Sequence, residues 1–142
     1  MLPERTRKLR PMRNVILVIA LAWAGLLLAD EPKQDKPLSP AEAIKRVNEK
    51  VLVEMLVKAT KNRLEKRKEI YLDSETDFRD PKNLGIVINQ AGAAKFKEAG
   101  IDDPAVHFKD KTIRVSGTVT KEDNRARIVV DDPKQIRIVE KK

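Results

Sequence analysis

A run of basic side chains followed by two aromatic ones is the part of this sequence best suited to binding chemistry. The stretch KATKNRLEKRK, Lys58–Lys68, contains six basic residues and one acidic residue. Tyr71 and Phe78 follow it closely. Lysine and arginine bind phosphate groups, and aromatic rings stack on nucleic acid bases. This arrangement predicts a surface that binds single-stranded nucleic acid, or another polyanion, weakly and mainly through charge.

Further basic side chains in the C-terminal half extend the candidate surface. The full set of candidate binding residues is Lys58, Lys61, Arg63, Lys66, Arg67, Lys68, Tyr71, Phe78, Arg114, Lys121, Arg125 and Arg127. The competing interpretation is that the basic run is a solvated hairpin tip and that Tyr71 belongs to the core. Runs of like charge usually face solvent, so the charge alone does not decide between the two.

Residue types that support catalysis or metal binding are scarce. The chain has no cysteine and a single histidine, His107. Thiolate chemistry and histidine-rich metal sites are therefore excluded. Asp73, Glu75, Asp77 and Asp80 alternate along one stretch, but the glycine and the terminal glutamate of a calcium-binding EF-hand loop are missing. We expect no catalytic site, no metal and no cofactor, with a metal-dependent hydrolase that uses Asp73 as the alternative.

The first 29 residues have the organisation of a secretory signal. Met1–Asn14 carries five basic side chains and one acidic one, and Val15–Ala29 is uncharged. A basic leader, a short apolar core and a small final residue are typical of a signal peptide. The apolar run is shorter than the roughly 20 residues of a spanning helix, although an uncleaved membrane anchor stays open. We expect export to the periplasm or the extracellular space, with Asp30–Leu38 as a flexible spacer.

The net charge of +8 depends strongly on this N-terminal segment. Without residues 1–29 the net charge falls to about +4, and the basic stretch Lys58–Lys68 alone contributes about +5. The rest of the chain is therefore slightly acidic. Any attraction for polyanions has to come from a local basic surface, because the field of the whole molecule is weak.

Short strands are the elements that must position the candidate residues. Thr112–Val130 alternates apolar and polar residues on both sides of a polar turn, which predicts a β-hairpin. Gly117 marks a bend within the first strand of that hairpin. Three earlier strands are predicted at Val51–Thr60, Glu69–Leu72 and Leu84–Ile88. In this arrangement the basic stretch Lys58–Lys68 becomes the loop between the first and second strands.

Two helices and a last strand complete the pattern. Ser39 and Glu42 form a capping box for a short helix that is expected to end near Asn48. Gln90–Ala99 is predicted to form a second helix, followed by glycine at the usual C-terminal position. Ile136–Val139 is predicted as a short final strand.

Three strands, a helix and then two strands is the order of the OB-fold, a five-stranded Greek-key barrel. We therefore expect a mainly β protein in which residues 39–142 form such a barrel, with the helix between strands three and four closing one end. OB-folds bind ligands on the face of strands two and three and on the loops between strands one and two and strands four and five. The candidate basic residues fall largely in these places.

The chain from Val51 to Val139 resembles small exported bacterial OB-fold proteins that are related to nucleic-acid-binding OB-fold domains. The segments that carry the resemblance are VLVEMLVKA, EIYLDSETDFRDPKNLGIVI, KDKTIRVSGTV and ARIVVDDPKQIRIV, of which DDPKQI is the most distinctive. The resemblance implies an exported, non-catalytic binding module. The alternative is a cell-envelope protein whose barrel binds a protein partner or a small ligand, or serves only as a structural domain.

Overall fold

The computed structural model describes residues 36–140. The predicted signal or anchor segment and most of the predicted spacer lie outside the described residues. The last spacer residue, Leu38, donates its N–H to the carbonyl of Leu52 at 2.8 Å and accepts from the N–H of Glu54 at 2.9 Å, so it is held against the domain. Among residues 36–140, no helix is long and apolar enough to cross a membrane.

Seven strands and four short α-helices make up the described part of the chain. The strands are β1 (Lys50–Leu56), β2 (Ala59–Arg63), β3 (Glu69–Asp73), β4 (Leu84–Asn89), β5 (Thr112–Glu122), β6 (Arg125–Val130) and β7 (Ile136–Ile138). The helices are α1 (Pro40–Ala43), α2 (Leu64–Arg67), α3 (Gln90–Glu98) and α4 (Pro104–Phe108), and a single 3-10 turn spans Pro133–Gln135.

The strands follow one another across the sheet in the order β1-β5-β6-β4-β3-β2, and β7 pairs with β5. Only β4 and β6 run parallel among these strand pairs. Strands β1 and β2, which stand at the two ends of this order, are consecutive in the chain and are connected by only Val57 and Lys58. The predicted mainly β OB-fold is confirmed. The strand count exceeds five because β2 forms a separate strand where a loop was largely predicted, and because β7, the predicted short final strand, also joins the sheet.

Alternating apolar residues of the strands fill the barrel. The apolar residues that alternate along the predicted hairpin are all buried, as the pattern indicated: Ile113, Val115, Val119, Ala126, Ile128 and Val130. Phe96 on α3 packs edge-on against Phe108 on α4, with 5.8 Å between the ring centroids. Helix α3 lies between the third and fourth predicted strands and closes one end of the barrel with this pair of rings.

Two elements differ from the sequence prediction. Helix α1 has the predicted capping box between Ser39 and Glu42, but it ends at Ala43. By Asn48 the backbone has a positive φ of 72°, and the N–H of this residue donates to β5. The predicted loop Lys58–Lys68 is also wrong, because it contains strand β2 and helix α2. Strand β2 pairs only with β3 and has no fully buried residue, so it lacks the apolar alternation that reveals a strand.

Strand β5 changes its partner near Gly117. Its first residues pair with β1 on one side and β7 on the other, whereas Val119–Glu122 pair with β6. A Cβ atom on Gly117 would lie 2.6 Å from Cγ2 of Ile128, well inside van der Waals contact. The bend predicted at Gly117 is therefore the point at which the strand passes from one half of the barrel to the other.

A single side-chain amide, that of Gln135, bridges the gap that opens between β5 and β6. Its Nε2 donates to the carbonyls of Ser116 at 3.0 Å and Val129 at 3.1 Å. Its Oε1 accepts from the N–H groups of Asp131 at 2.9 Å and Asp132 at 3.2 Å. The amide thus uses both donors and both acceptor positions. This is the structural role of the DDPKQI segment.

The Gln135→Met substitution keeps the length of the side chain and removes all four hydrogen bonds. We expect the free energy of unfolding to fall by about 1–3 kcal/mol, because the backbone groups at the junction lose their partner. Urea denaturation followed by circular dichroism measures this change. The exposed neighbour Lys134 is the control, and Lys134→Met should change the free energy of unfolding by less than about 0.5 kcal/mol. Equal decreases in the free energy of unfolding for the two substitutions would contradict the bridging role of the Gln135 amide.

Candidate functional site

The outer surface of β2, β3, β4 and β6 forms a groove of about 470 Å³, a volume in the range of small-ligand sites. Side chains alternate between the two faces of a strand, so residues opposite one another share a face. One outward row is Ala59, Asp73, Gly85 and Arg127. The next row is Lys61, Tyr71 and Val87. The intervening residues Leu72, Ile86 and Ile128 are fully buried in the core.

Two loops meet at one end of this groove. The turn between β5 and β6 has two residues, Asp123 and Asn124, both with positive φ, which is the geometry of a tight hairpin turn. It places the guanidinium carbon of Arg125 4.8 Å from the centre of the Phe78 ring. Phe78 belongs to the loop between β3 and β4 and is 47% exposed. A cation–π contact therefore joins the two loops beside an exposed aromatic ring.

Seven of the twelve candidate residues line this groove. They are Lys61, Arg63, Arg67, Tyr71, Phe78, Arg125 and Arg127. Tyr71 faces outward, and its neighbours Ile70 and Leu72 are buried. The competing interpretation that placed Tyr71 in the core is therefore wrong, although most of the basic run is exposed as that interpretation required.

The other five candidates do not line the groove. Arg114 forms an ion pair with Glu54 at 2.8 Å, in the half of β5 that pairs with β1 and thus on a different part of the barrel. Lys58 forms an ion pair with Glu75 at 3.6 Å. The remaining three are exposed outside the groove: Lys66, Lys68 and Lys121.

Four carboxylates outside the candidate binding set also line the groove, and they are Glu69, Asp73, Glu122 and Asp123. Of these, only Asp73 was considered from the sequence, for metal binding or hydrolysis. Glu69 accepts a hydrogen bond from the Tyr71 hydroxyl, and Glu122 pairs with Arg127 at 2.8 Å. Five basic and four acidic side chains make this a mixed surface. The sequence could have placed Glu69 and Asp73 on this surface, because alternation along β3 puts them on the same face as Tyr71.

Asp73 is the most buried of these carboxylates, with 9% exposure. Its Oδ1 accepts a hydrogen bond from Nδ2 of Asn83 at 3.0 Å. Burial raises the pKa of Asp73 above its ordinary value of 3.8, against the opposing effects of Asn83 and of the positive charges on Arg127 and Lys61. Burial and the hydrogen bond to Glu69 also raise the pKa of Tyr71. The floor of the groove is therefore poorly solvated.

The acidic stretch and the histidine have local roles. Within residues 36–140, no group of three histidine, cysteine, aspartate or glutamate side chains is arranged to hold a metal ion. Asp77 forms an ion pair with Arg79 at 3.1 Å, and this partner lowers the pKa of Asp77. The exposed ring of His107 packs edge-on against Phe108, with 4.7 Å between the centroids.

Among the comparisons with known proteins, only similarity of structure supports the fold. No protein-family model and no curated protein matches the sequence. Asparaginyl-tRNA synthetase from Pyrococcus horikoshii is similar in structure over 74% of this chain, with a TM-score of 0.50 and 15% identity. Aspartyl tRNA synthetase from Entamoeba histolytica is similar over 77%, with a TM-score of 0.50 and 11% identity. The matched region spans 23% of each synthetase.

A much smaller protein has the same architecture. The OBody AM1L10, solved in a complex with hen egg-white lysozyme, is similar over 78% of this chain and over 100% of its own length. The TM-score is 0.50 and the identity is 11%. At these identities the three structures establish the fold that the strand order had already indicated.

Asp73→Asn tests the environment of the groove floor through the pH dependence of stability. A raised folded-state pKa means that ionised Asp73 costs stability above that pKa, and that this cost is absent below the unfolded-state value near 3.8. The neutral variant keeps an oxygen for Asn83. It should therefore be more stable than the wild type at pH 7, by about 1.4 kcal/mol for each unit of pKa shift.

Urea denaturation at pH 7 and near pH 3.5 measures this difference, which should largely disappear at the lower pH. Asp102→Asn, at an exposed position, is the control for the loss of one negative charge. A variant that is less stable than the wild type at pH 7 would instead show that Arg127 and Lys61 stabilise the ionised carboxyl.

Proposed function

We propose that this chain is an exported, non-catalytic OB-fold module that binds single-stranded nucleic acid through the groove of β2, β3, β4 and β6. One observation carries the proposal: Lys61, Arg63 and Arg67 line the same concave surface as Tyr71 and Phe78. Basic side chains that follow a phosphate backbone, beside aromatic rings on which bases stack, are the usual means of binding single strands.

The three basic residues are suited to phosphate contacts. Lys61 and Arg63 lie two residues apart on β2 and therefore point to the same side. Arg67 lies at the end of the following helix, α2. Within residues 36–140 none of the three forms an ion pair, so their charges are available to a ligand.

The known relatives of the fold are consistent with this ligand class. Two of the similar structures are synthetases named for tRNA. We propose binding without catalysis, because two of the four groove carboxylates, Glu69 and Glu122, are engaged by groove side chains. These contacts orient Tyr71 and Arg127 for binding.

The acidic residues of the groove lower the affinity for nucleic acid that we expect. Glu69, Asp73, Glu122 and Asp123 repel phosphate, so the affinity should be weak and dominated by the free basic residues. Three phosphate contacts give a slope of about −2 for the logarithm of the association constant against the logarithm of salt concentration. Affinity should then fall by about 100-fold over a tenfold rise in salt.

Fluorescence anisotropy with a labelled dT oligonucleotide of about ten nucleotides tests the proposal. The variant that combines Lys61→Ser, Arg63→Ser and Arg67→Ser should lose at least about tenfold in affinity at low salt, with a flatter salt dependence. A control variant combines Lys66→Ser, Lys97→Ser and Lys121→Ser. It removes the same charge from exposed positions outside the groove and should lose less than about threefold. No binding at low salt, or equal losses in both variants, would overturn the proposal.

A protein ligand is the second candidate for the same groove. The mixed charge of the groove favours it, because interleaved acidic and basic side chains suit a polypeptide surface. The OBody in complex with lysozyme has this fold and is bound to a protein. Under this alternative, the dT oligonucleotide fails to bind at low salt.

Export is part of the proposal and has its own test. The basic leader and the short apolar run of residues 1–29 support a cleaved signal peptide. Expression of the full chain in a bacterium, followed by fractionation and mass measurement, should recover a periplasmic or secreted product that begins near Asp30. Full-length chain in the membrane fraction would indicate an anchor, and full-length chain in the cytosol would contradict export.

A further inference from the structure

We propose that the groove contains a base-specific site, formed by Asp73, Gly85 and Arg127, that prefers guanine. The inference rests on the proposed binding of single-stranded nucleic acid and adds a sequence preference to it. The three residues lie directly opposite one another on β3, β4 and β6. They therefore form one straight row across the floor of the groove.

Gly85 leaves space in the middle of this row. Adjacent strands are about 4.8 Å apart, so the backbones of Asp73 and Arg127 are separated by about 10 Å, and Gly85 itself contributes no side chain between them. A Cβ atom on Gly85 would lie 3.4 Å from Oδ1 of Asp73, and 3.9 Å from both the carbonyl oxygen of Ala126 and Nδ2 of Asn83. These are ordinary contacts, so the fold would accept alanine here. A flat ring can therefore approach the backbone at Gly85 from the groove, beside the Asp73 carboxyl and the Asn83 amide.

The two ends of the gap present unused hydrogen-bonding groups. Within residues 36–140, Oδ1 of Asp73 bonds only to Asn83, and the second carboxyl oxygen has no partner. Arg127 donates from Nη1 to Glu122 at 2.8 Å. Its Nε is buried and has no partner among the described residues. Nη2 of Arg127 also forms no hydrogen bond among the described residues and, unlike Nε, is not buried. An acceptor on one side and this donor on the other are thus left for a ligand.

Charge indicates that this row binds a base and not a phosphate. A carboxylate on the groove floor repels phosphate, whereas Lys61 and Arg63 along β2 attract it. Tyr71 and Val87 occupy the adjacent outward row, and Val87 is only 2% exposed. These side chains give the ring an apolar neighbour. Burial raises the pKa of Asp73, and a ligand that donates hydrogen bonds to the carboxylate would offset that effect.

Guanine matches both ends of the gap. Its N1–H and amino group are adjacent donors that suit a carboxylate, and its O6 and N7 are the acceptors that arginine most often contacts. Thymine and uracil have no amino group, so they leave Asp73 without this pair of donors. Cytosine and adenine each offer a single amino group to the carboxylate. The order of affinity should therefore place guanine first and thymine last.

Four dT oligonucleotides that differ only in a central G, A, C or T test this preference by anisotropy. One well-formed pair of base contacts gives about fivefold or greater discrimination. We therefore expect the G oligonucleotide to bind at least about fivefold more tightly than the T oligonucleotide. Weak salt dependence of this ratio would show that it arises from base contacts, since phosphate contacts are common to all four probes.

Two variants locate the site. Asp73→Asn replaces an acceptor oxygen with an amide donor, so the ratio of G to T affinity should fall to about one. Gly85→Ala places a methyl group in the gap without a close contact in the protein, and it should also reduce the ratio. Asp102→Asn removes the same charge at an exposed position outside the groove and should leave the ratio unchanged.

The outcomes separate this inference from the function on which it rests. If none of the four oligonucleotides binds, both are overturned. If all four bind equally, the nucleic acid proposal stands and the guanine site is overturned. If guanine is preferred but the preference survives both Asp73→Asn and Gly85→Ala, the assigned residues are wrong.

Discussion

The passage of β5 from one half of the barrel to the other is the constraint on which the rest of the structure depends. Gly117 allows the crossing because any side chain there would collide with Ile128. The four hydrogen bonds of Gln135 then satisfy the backbone groups where β5 and β6 separate. Strand β6 is thereby positioned to run parallel to β4, which places Arg127 opposite Gly85. The groove exists because this junction fixes the register of the two strands.

The groove combines two kinds of surface that the barrel brings together. The edge strand β2 and helix α2 contribute basic side chains without ion-pair partners among the described residues, and strand β3 contributes a carboxylate at the floor. Phosphates are attracted to the first surface and repelled by the second. A polymer with charged links and flat, polar bases has the matching chemistry. This division would let the proposed binding of a polyanion act locally in a chain that has little net charge outside residues 1–29.

The sequence predicts the strands whose apolar and polar residues alternate and the helix that begins with a capping box. It is less informative about elements whose position depends on pairing between distant parts of the chain. The hairpin around Gly117 and the capping box at Ser39 were evident because the signals are local. Strand β2 was not, since its polar residues pair at the edge of the sheet. Arg114 was wrongly grouped with the groove residues, because nothing local shows that β5 divides between two partners. Glu69, Glu122 and Asp123 were missed, and Asp73 was considered only for metal binding or hydrolysis, because their place in the groove depends on strands that are distant in sequence.

The proposed function places single-stranded nucleic acid on the outer face of β2, β3, β4 and β6. Chemical-shift mapping of the isotope-labelled protein with a dT oligonucleotide would locate the bound strand. We expect the largest amide shifts at Lys61, Tyr71, Gly85 and Arg127, which line the groove. Residues around Arg114, on the β1 side of the barrel, should shift little. Shifts centred on Arg114, or no shifts at low salt, would show that the groove is not the binding surface.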